Sequence, residues 1–198
     1  MDGRKVPIHL ENPIDDLIIK EFCEPVSNIL RSISPKITPN MITSVGMVIG
    51  LCTIYALYKK QYILAFFLFW LCYIFDCLDG YYARKYNMVT RFGDYFDHFR
   101  DVFVCGTVIY LLYKDMDNIV RRDVYVITLI VSLILMLTHF GAQELNSVSP
   151  EHNECLGMLT PLCKHKEYID YTKYFGCGTF MLVLSMFILS RQISQNRV

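Results

Sequence analysis

The chain has 198 residues, 54% of them hydrophobic and only 19% charged, with a positive mean hydropathy. That balance belongs to membrane proteins, not to a soluble globule. Its 19 basic and 19 acidic side chains cancel, and no basic arm or aromatic-basic patch stands out, which argues against a nucleic-acid partner.

The opening, "MDGRKVPIHLENPIDD", leads into a charged segment without a short apolar core, so no signal peptide is expected. Residues 13–33 place Ile14, Leu17, Ile18, Phe22, Ile29, Leu30 and Ile33 at helical spacing among acids and Lys20. This pattern predicts an amphipathic helix lying on a membrane surface, bent near Pro25. Thr38 then stands as an N-cap, with Pro39 in the first turn of the next helix.

Runs free of acidic and basic residues cover 41–58, 62–75, 102–113, 124–143 and 174–190. Three of them approach the ~20 residues needed to cross ~30 Å of hydrocarbon. The shorter two, 62–75 and 102–113, reach that length only if the charged stretch between them completes both. The expected fold is an all-α polytopic transmembrane bundle of five strong spans, or six if 144–170 holds another, with an N-terminal interfacial helix. Residues 1–37 read as a juxtamembrane segment, 38–191 as the transmembrane domain and 192–198 as a C-terminal tail. Four of the eight cysteines (Cys52, Cys72, Cys105, Cys177) fall inside apolar runs and read as packing residues.

With only "KKQ" between them, the first two spans must form a tight hairpin. The end of the second span, the start of the third and the segment 144–173 then share one side of the membrane. That side holds eleven Lys and Arg residues against seven on the other, and the positive-inside rule makes it cytoplasmic. In a eukaryote this would be the cytoplasmic face of the endoplasmic reticulum.

The stretch "FDCLDGYYARKYNMVTRFGDYFDHFRD" (75–101) carries five aspartates on that side. Asp101 lies about 18 Å from Tyr113 along a helix, and Asp76 about 22 Å from Gln61, which is hydrocarbon depth. A lone Asp at a helix centre costs roughly 2.5–3.5 kcal/mol on insertion scales, and two carboxylates ~4 Å apart repel by about 4 kcal/mol at an effective dielectric of 20. Asp76 and Asp79 are i, i+3 and Asp97 and Asp101 are i, i+4, so each pair shares a helix face. Four converging carboxylates with no Cys or His call for hard divalent cations, Mg²⁺ or Mn²⁺, and suffice for two ions that clamp a diphosphate. Arg84 offers a fixed fork for phosphate oxygens, and Gly93, one turn before Asp97, leaves room for a ligand. A loop of solvated acids would leave a third span of only 12 residues, too short to cross.

The run Asp76-x2-Asp79-Gly80-x2-Ala83-Arg84-x8-Gly93-x3-Asp97-x3-Asp101 resembles the signature of the CDP-alcohol phosphotransferase (phosphatidyltransferase) family at all eight fixed positions. "ITPNMITSVGMVIGL" is similar to that family's entry into its first transmembrane helix. The resemblance implies transfer of a substituted phosphate from a CDP-linked donor, CDP-diacylglycerol or a CDP-aminoalcohol, to an alcohol, releasing CMP during phospholipid synthesis. It implies Asp76, Asp79, Asp97 and Asp101 as ligands to two metal ions, and Asp101 also as the base for the acceptor hydroxyl. Gly80, Ala83, Arg84 and Gly93 would cradle the CDP moiety. One substrate is then a lipid, and the family's members often dimerise.

The acceptor side is less legible. "FDH" at 96–98 resembles the aminoalcohol branch, whereas "DGYYARKYN" leans toward the phosphatidylglycerolphosphate branch. His98 either meets the acceptor or orients Asp97, and Asp94 reads as a solvated neighbour. His139 and Gln143, at i, i+4, and Lys173 are further acceptor candidates, against the plainer readings of a hydrogen-bonded helix end and a snorkelling lysine. His152, Cys155, Cys163 and His165 have spacings that fit no usual zinc pattern. Five spans depart from the six usual in the family. A divalent-cation carrier is the competing class, though the other spans offer few polar groups at mid-membrane depth.

Overall fold

Each apolar run folds as a helix, and the charged stretch between the second and third runs extends both of their helices, with a break only at 86–90. The computed structural model describes residues 3–116, 118–147, 157–163 and 165–196, which are all-helical apart from turns and connections. Helix α1 (Pro13–Ile18) passes through a π-helical turn (Ile19–Cys23) into α2 (Glu24–Ile33). The widened turn lies directly before Pro25, whose missing N–H and bulky ring do not fit a regular ladder, so the expected bend takes this form. Ile19 and Cys23 are buried against Ile42, Leu78 and Tyr82, while Leu17, Ile29 and Ile33 remain exposed.

The long helices are α3 (Pro39–Tyr58), α4 (Tyr62–Lys85), α5 (Arg91–Lys114), α6 (Ile119–Leu145) and α8 (Cys177–Gln195), with the short α7 (Ile169–Thr172) before the last. Among the described residues four helices are long and apolar enough to cross a membrane: Pro39–Tyr58, Tyr62–Lys85, Ile119–Leu145 and Lys166–Gln195, the last run taking in α7 and α8. Helix α5 has the length, at 24 residues, but its first three turns carry Asp94, Asp97, Arg100 and Asp101. The count of apolar spans is therefore four where the sequence suggests five or six. Of 144–170, residues 157–163 and 165–168 form short turns, and 148–156, with His152 and Cys155 of the zinc pattern, lie outside the described residues.

Two matching helix stops set the geometry. After α3, Lys60 takes a left-handed φ of 57° and the Gln61 N–H returns to the Ala56 carbonyl at 2.9 Å. After α4, Asn87 does the same at 53°, with Met88 N–H on the Ala83 carbonyl at 2.8 Å. Both are Schellman stops, which close a helix within a residue or two. Thr90 then caps α5, its hydroxyl accepting from Gly93 N at 3.1 Å. Thr38 holds the N-cap position of α3 but makes no side-chain cap bond; its carbonyl accepts from Met41 N instead.

Helix α3 packs along α4 and α5 through Gly46 and Gly50. A Cβ at Gly50 would lie 2.6 Å from Val104 Cγ2, so only glycine permits this approach. Phe69, Tyr73, Val108, Tyr125 and Leu184 fill the core between α4, α5, α6 and α8. Ile127, Ile130 and Ile134 of α6 face outward, as lipid-facing residues do.

Candidate active site at the acidic ends of α4 and α5

Helix α4 brings Asp76 and Asp79, and α5 brings Asp97 and Asp101, to the same end of the bundle, as their spacing predicts. Oxygens of Asp76, Asp97 and Asp101 all lie within 4.8 Å of one another. Asp79 sits deeper, buried at the edge of this trio.

At the centre lies a residue that sequence reasoning missed. Arg100 is fully buried and its guanidinium meets all four aspartates. Nη1 lies 2.9 Å from Asp79 Oδ2. Nη2 contacts Asp76 Oδ1 and lies 2.6 Å from Asp97 Oδ1 and 2.7 Å from Asp101 Oδ1. Its position three residues after Asp97 and beside Asp101 was the available signal. Asp97 Oδ1, although close to this charge, is buried with no aligned hydrogen bond. An oxygen-only donor set with net negative charge and a buried under-satisfied oxygen fits a hard divalent cation.

These carboxylates open into a cavity of about 640 Å³. Every fixed position of the motif lines it: Asp76, Asp79, Gly80, Ala83, Arg84, Gly93, Asp97 and Asp101. The Arg84 guanidinium lies against Gly80, where an added Cβ would come within 3.2 Å of Nη1, and its Nε donates to the Gly3 carbonyl at 2.8 Å. His98 lines the same space and pairs with Asp94, its Nδ1 3.4 Å from Asp94 Oδ1. Asp94 is thus a cavity residue with a partner, where the sequence suggests a solvated neighbour.

The acceptor candidates divide. Gln143 lines the cavity and donates to Glu11 Oε1 at 3.2 Å. His139 is buried outside the described lining, its Nδ1 3.4 Å from Thr172 Oγ1. Lys173 is also outside it, donating to the His9 carbonyl at 2.8 Å. The structure thus brings Gln143 and His98 to the site but ties His139 and Lys173 into the packing beside it.

The N-terminal segment supplies the rest of the polar wall through Lys5, Glu11 and Asp15. Asn12 fastens it to the start of α8, donating to the Lys173 carbonyl at 2.6 Å and to Thr179 Oγ1 at 3.1 Å. Asp15 accepts from Tyr73 OH and, at 3.0 Å, from Gly178 N. Burial pushes Asp15 up to about 6 despite these donors. Burial and the nearby Asp15 charge push Glu11 up to about 7, and its Oε2 has no partner. Lys5 is lowered by burial, opposed by Glu144, whose Oε2 lies 2.6 Å away. Nothing in the polarity pattern of residues 3–12 announces this role, because it depends on contacts with residues more than a hundred positions away.

The fold and site define an integral membrane helical bundle with a carboxylate-rich cavity at one end, whose aspartates could hold a cation. Residues 36–193 match the CDP-alcohol phosphatidyltransferase family, and the chain belongs to it. Over 84 residues it is 40% identical to a Rickettsia felis protein named CDP-diacylglycerol–glycerol-3-phosphate 3-phosphatidyltransferase, covering 41% of this chain and 46% of that protein. Over 125 residues it is 30% identical to an archaetidylinositol phosphate synthase of Pyrococcus horikoshii, covering 63% of this chain and 64% of that protein. The matches thus span less than two thirds of either relative's length. No solved structure matches the chain.

Proposed function

We propose that this protein transfers a phosphatidyl group from CDP-diacylglycerol to the hydroxyl of a water-soluble alcohol, releasing CMP. The observation that carries this reading is the gathering of all eight motif positions around one cavity. Gly80, Ala83 and Gly93 leave its wall low enough for a nucleotide, and Arg84 presents its guanidinium for diphosphate oxygens. A divalent ion, Mg²⁺ or Mn²⁺, held by the aspartates would neutralise charge on the diphosphate. Asp101 accepts the proton of the acceptor hydroxyl through the oxygen that Arg100 does not hold. The acceptor oxygen bonds to the β-phosphorus as the bond from that phosphorus to the CMP oxygen breaks, and CMP leaves with the electron pair.

The name of the Rickettsia felis relative supports a CDP-linked lipid donor. Helix α5 is read as a fifth crossing, with its acidic end at the cytoplasmic face, and α1–α2 as an interfacial helix whose exposed Leu17, Ile29 and Ile33 enter the headgroup region. The experiment is a CMP-release assay on the purified chain with Mg²⁺ or Mn²⁺, CDP-diacylglycerol or a CDP-aminoalcohol, and a panel of alcohols. Release with CDP-diacylglycerol is expected. Absence of CMP with every pair, together with metal flux into vesicles, would replace the enzyme with a cation carrier.

A further inference from the structure

The expectation of two metal ions rests on four carboxylates free to hold them, and the structure shows them shared with Arg100. We propose that Arg100 is a resident cation of the reaction centre, taking the place of one of two divalent ions, so that this chain binds one. The inference rests on reading the cavity as a divalent-ion site.

Three observations carry it. The guanidinium engages one oxygen of each aspartate, Oδ1 of Asp76, Asp97 and Asp101 and Oδ2 of Asp79, so Asp76, Asp97 and Asp101 each keep a second oxygen for another ligand, while Asp79 also meets the Thr43 hydroxyl. Arg100 also has a built seat. A Cβ at Gly46 of α3 would stand 3.2 Å from Nη1 and 3.9 Å from Cδ, so the facing helix is cut back where the guanidinium lies. Finally, Arg100 is fully buried and surrounded by acids, and a guanidinium stays charged under any physiological condition.

Before the diphosphate enters, the charge count favours one ion. Four carboxylates and one guanidinium sum to three negative charges. One divalent ion leaves a single negative charge. A second would make the buried cluster positive and press a dication against a fixed guanidinium. Asp76 and Asp97, through the oxygens that the guanidinium leaves free, are the ligands expected for the single ion, and Asp101 keeps its second oxygen for the acceptor proton.

The test is metal stoichiometry, with CMP release as a separate reading. The full chain in detergent, stripped with chelator, is equilibrated with Mn²⁺. Bound metal is then counted by elemental analysis, and its environment read by electron paramagnetic resonance. Wild type is expected to hold one Mn²⁺ per chain with the six-line signal of an isolated ion. R100Q is expected to hold two, with an exchange-coupled signal, and R100K, which keeps the charge, one. Should R100Q fail to fold, wild type and R100K still decide the matter. Two coupled ions in wild type that releases CMP overturn the role of Arg100 and leave the proposed activity standing. No bound Mn²⁺ and no CMP overturn both.

Discussion

Two arginine–carboxylate clusters pin opposite ends of the α4–α5 pair, and their charge balance is reversed. At one end Asp115, just past α5, receives Tyr62 OH, Lys60 Nζ at 3.0 Å and Arg191 Nε at 2.7 Å. Burial alone would raise its pKa, but the donors Tyr62, Arg191 and Lys60 outweigh it and hold Asp115 below the usual carboxylate range. At the other end four aspartates share the single guanidinium of Arg100. One cluster saturates its carboxylate and acts as a clamp between α4, α5 and α8. The other leaves carboxylate oxygens in excess, which a bound cation can satisfy. The sign of the imbalance separates a structural cluster from the proposed reaction centre.

The largest expected effect breaks the acid-rich side. Asp101→Asn should lower CMP release by roughly 10²–10⁴-fold, the range for losing a general base, while CDP-diacylglycerol binding, followed by isothermal titration, is largely kept. Turnover near wild type in this variant would mean that another group takes the proton.

The clamp should respond in the opposite way. Arg191→Ala removes the 2.7 Å contact to Asp115 Oδ2 and a second to its backbone carbonyl. At about 1.5 kcal/mol for each charge-assisted bond, the loss is roughly 3 kcal/mol. A fall in the thermal midpoint in detergent with CMP release nearly unchanged is the expected pair of readings. Loss of activity at unchanged stability would erase the distinction between the two clusters.

How much of this was legible follows from the range of the interactions. The helices, the acidic pairs and the eight-position motif depend on spacings of no more than nine residues, which the chain displays directly. Arg100 stood within the same window but reads as one more charge in a charged stretch, because its four partners come from two helices. Lys5, Glu11 and Asp15 were invisible, since Glu11 meets Gln143 and Asp15 meets Gly178 only after the bundle closes. The crossing number of α5 is ambiguous for a physical reason: the residues that build the site are the ones that lower its hydropathy.

Glu11 sharpens the comparison, being a buried carboxylate with no arginine clamp of its own. It is 6% exposed, accepts one bond from Gln143 and faces Asp15 and Asp16 as well as Arg4 and Arg84. Burial, then repulsion from Asp15, raises it from 4.5 to about 7. An acid raised on folding stabilises the folded segment below its unfolded pKa, and that stability is lost as pH rises through the folded value. Between pH 5 and 7 the docking of residues 3–18 should weaken by on the order of 2 kcal/mol. Asp15, raised to about 6, adds to the same direction. Hydrogen exchange of this segment, corrected for intrinsic rates, should show protection falling over that interval, with the steeper part removed by Glu11→Gln and a shallower step near 6 left by Asp15. Equal slopes in wild type and Glu11→Gln would assign the loosening to another group, and protection rising with pH would mean that Glu11 is held ionised, as Asp115 is.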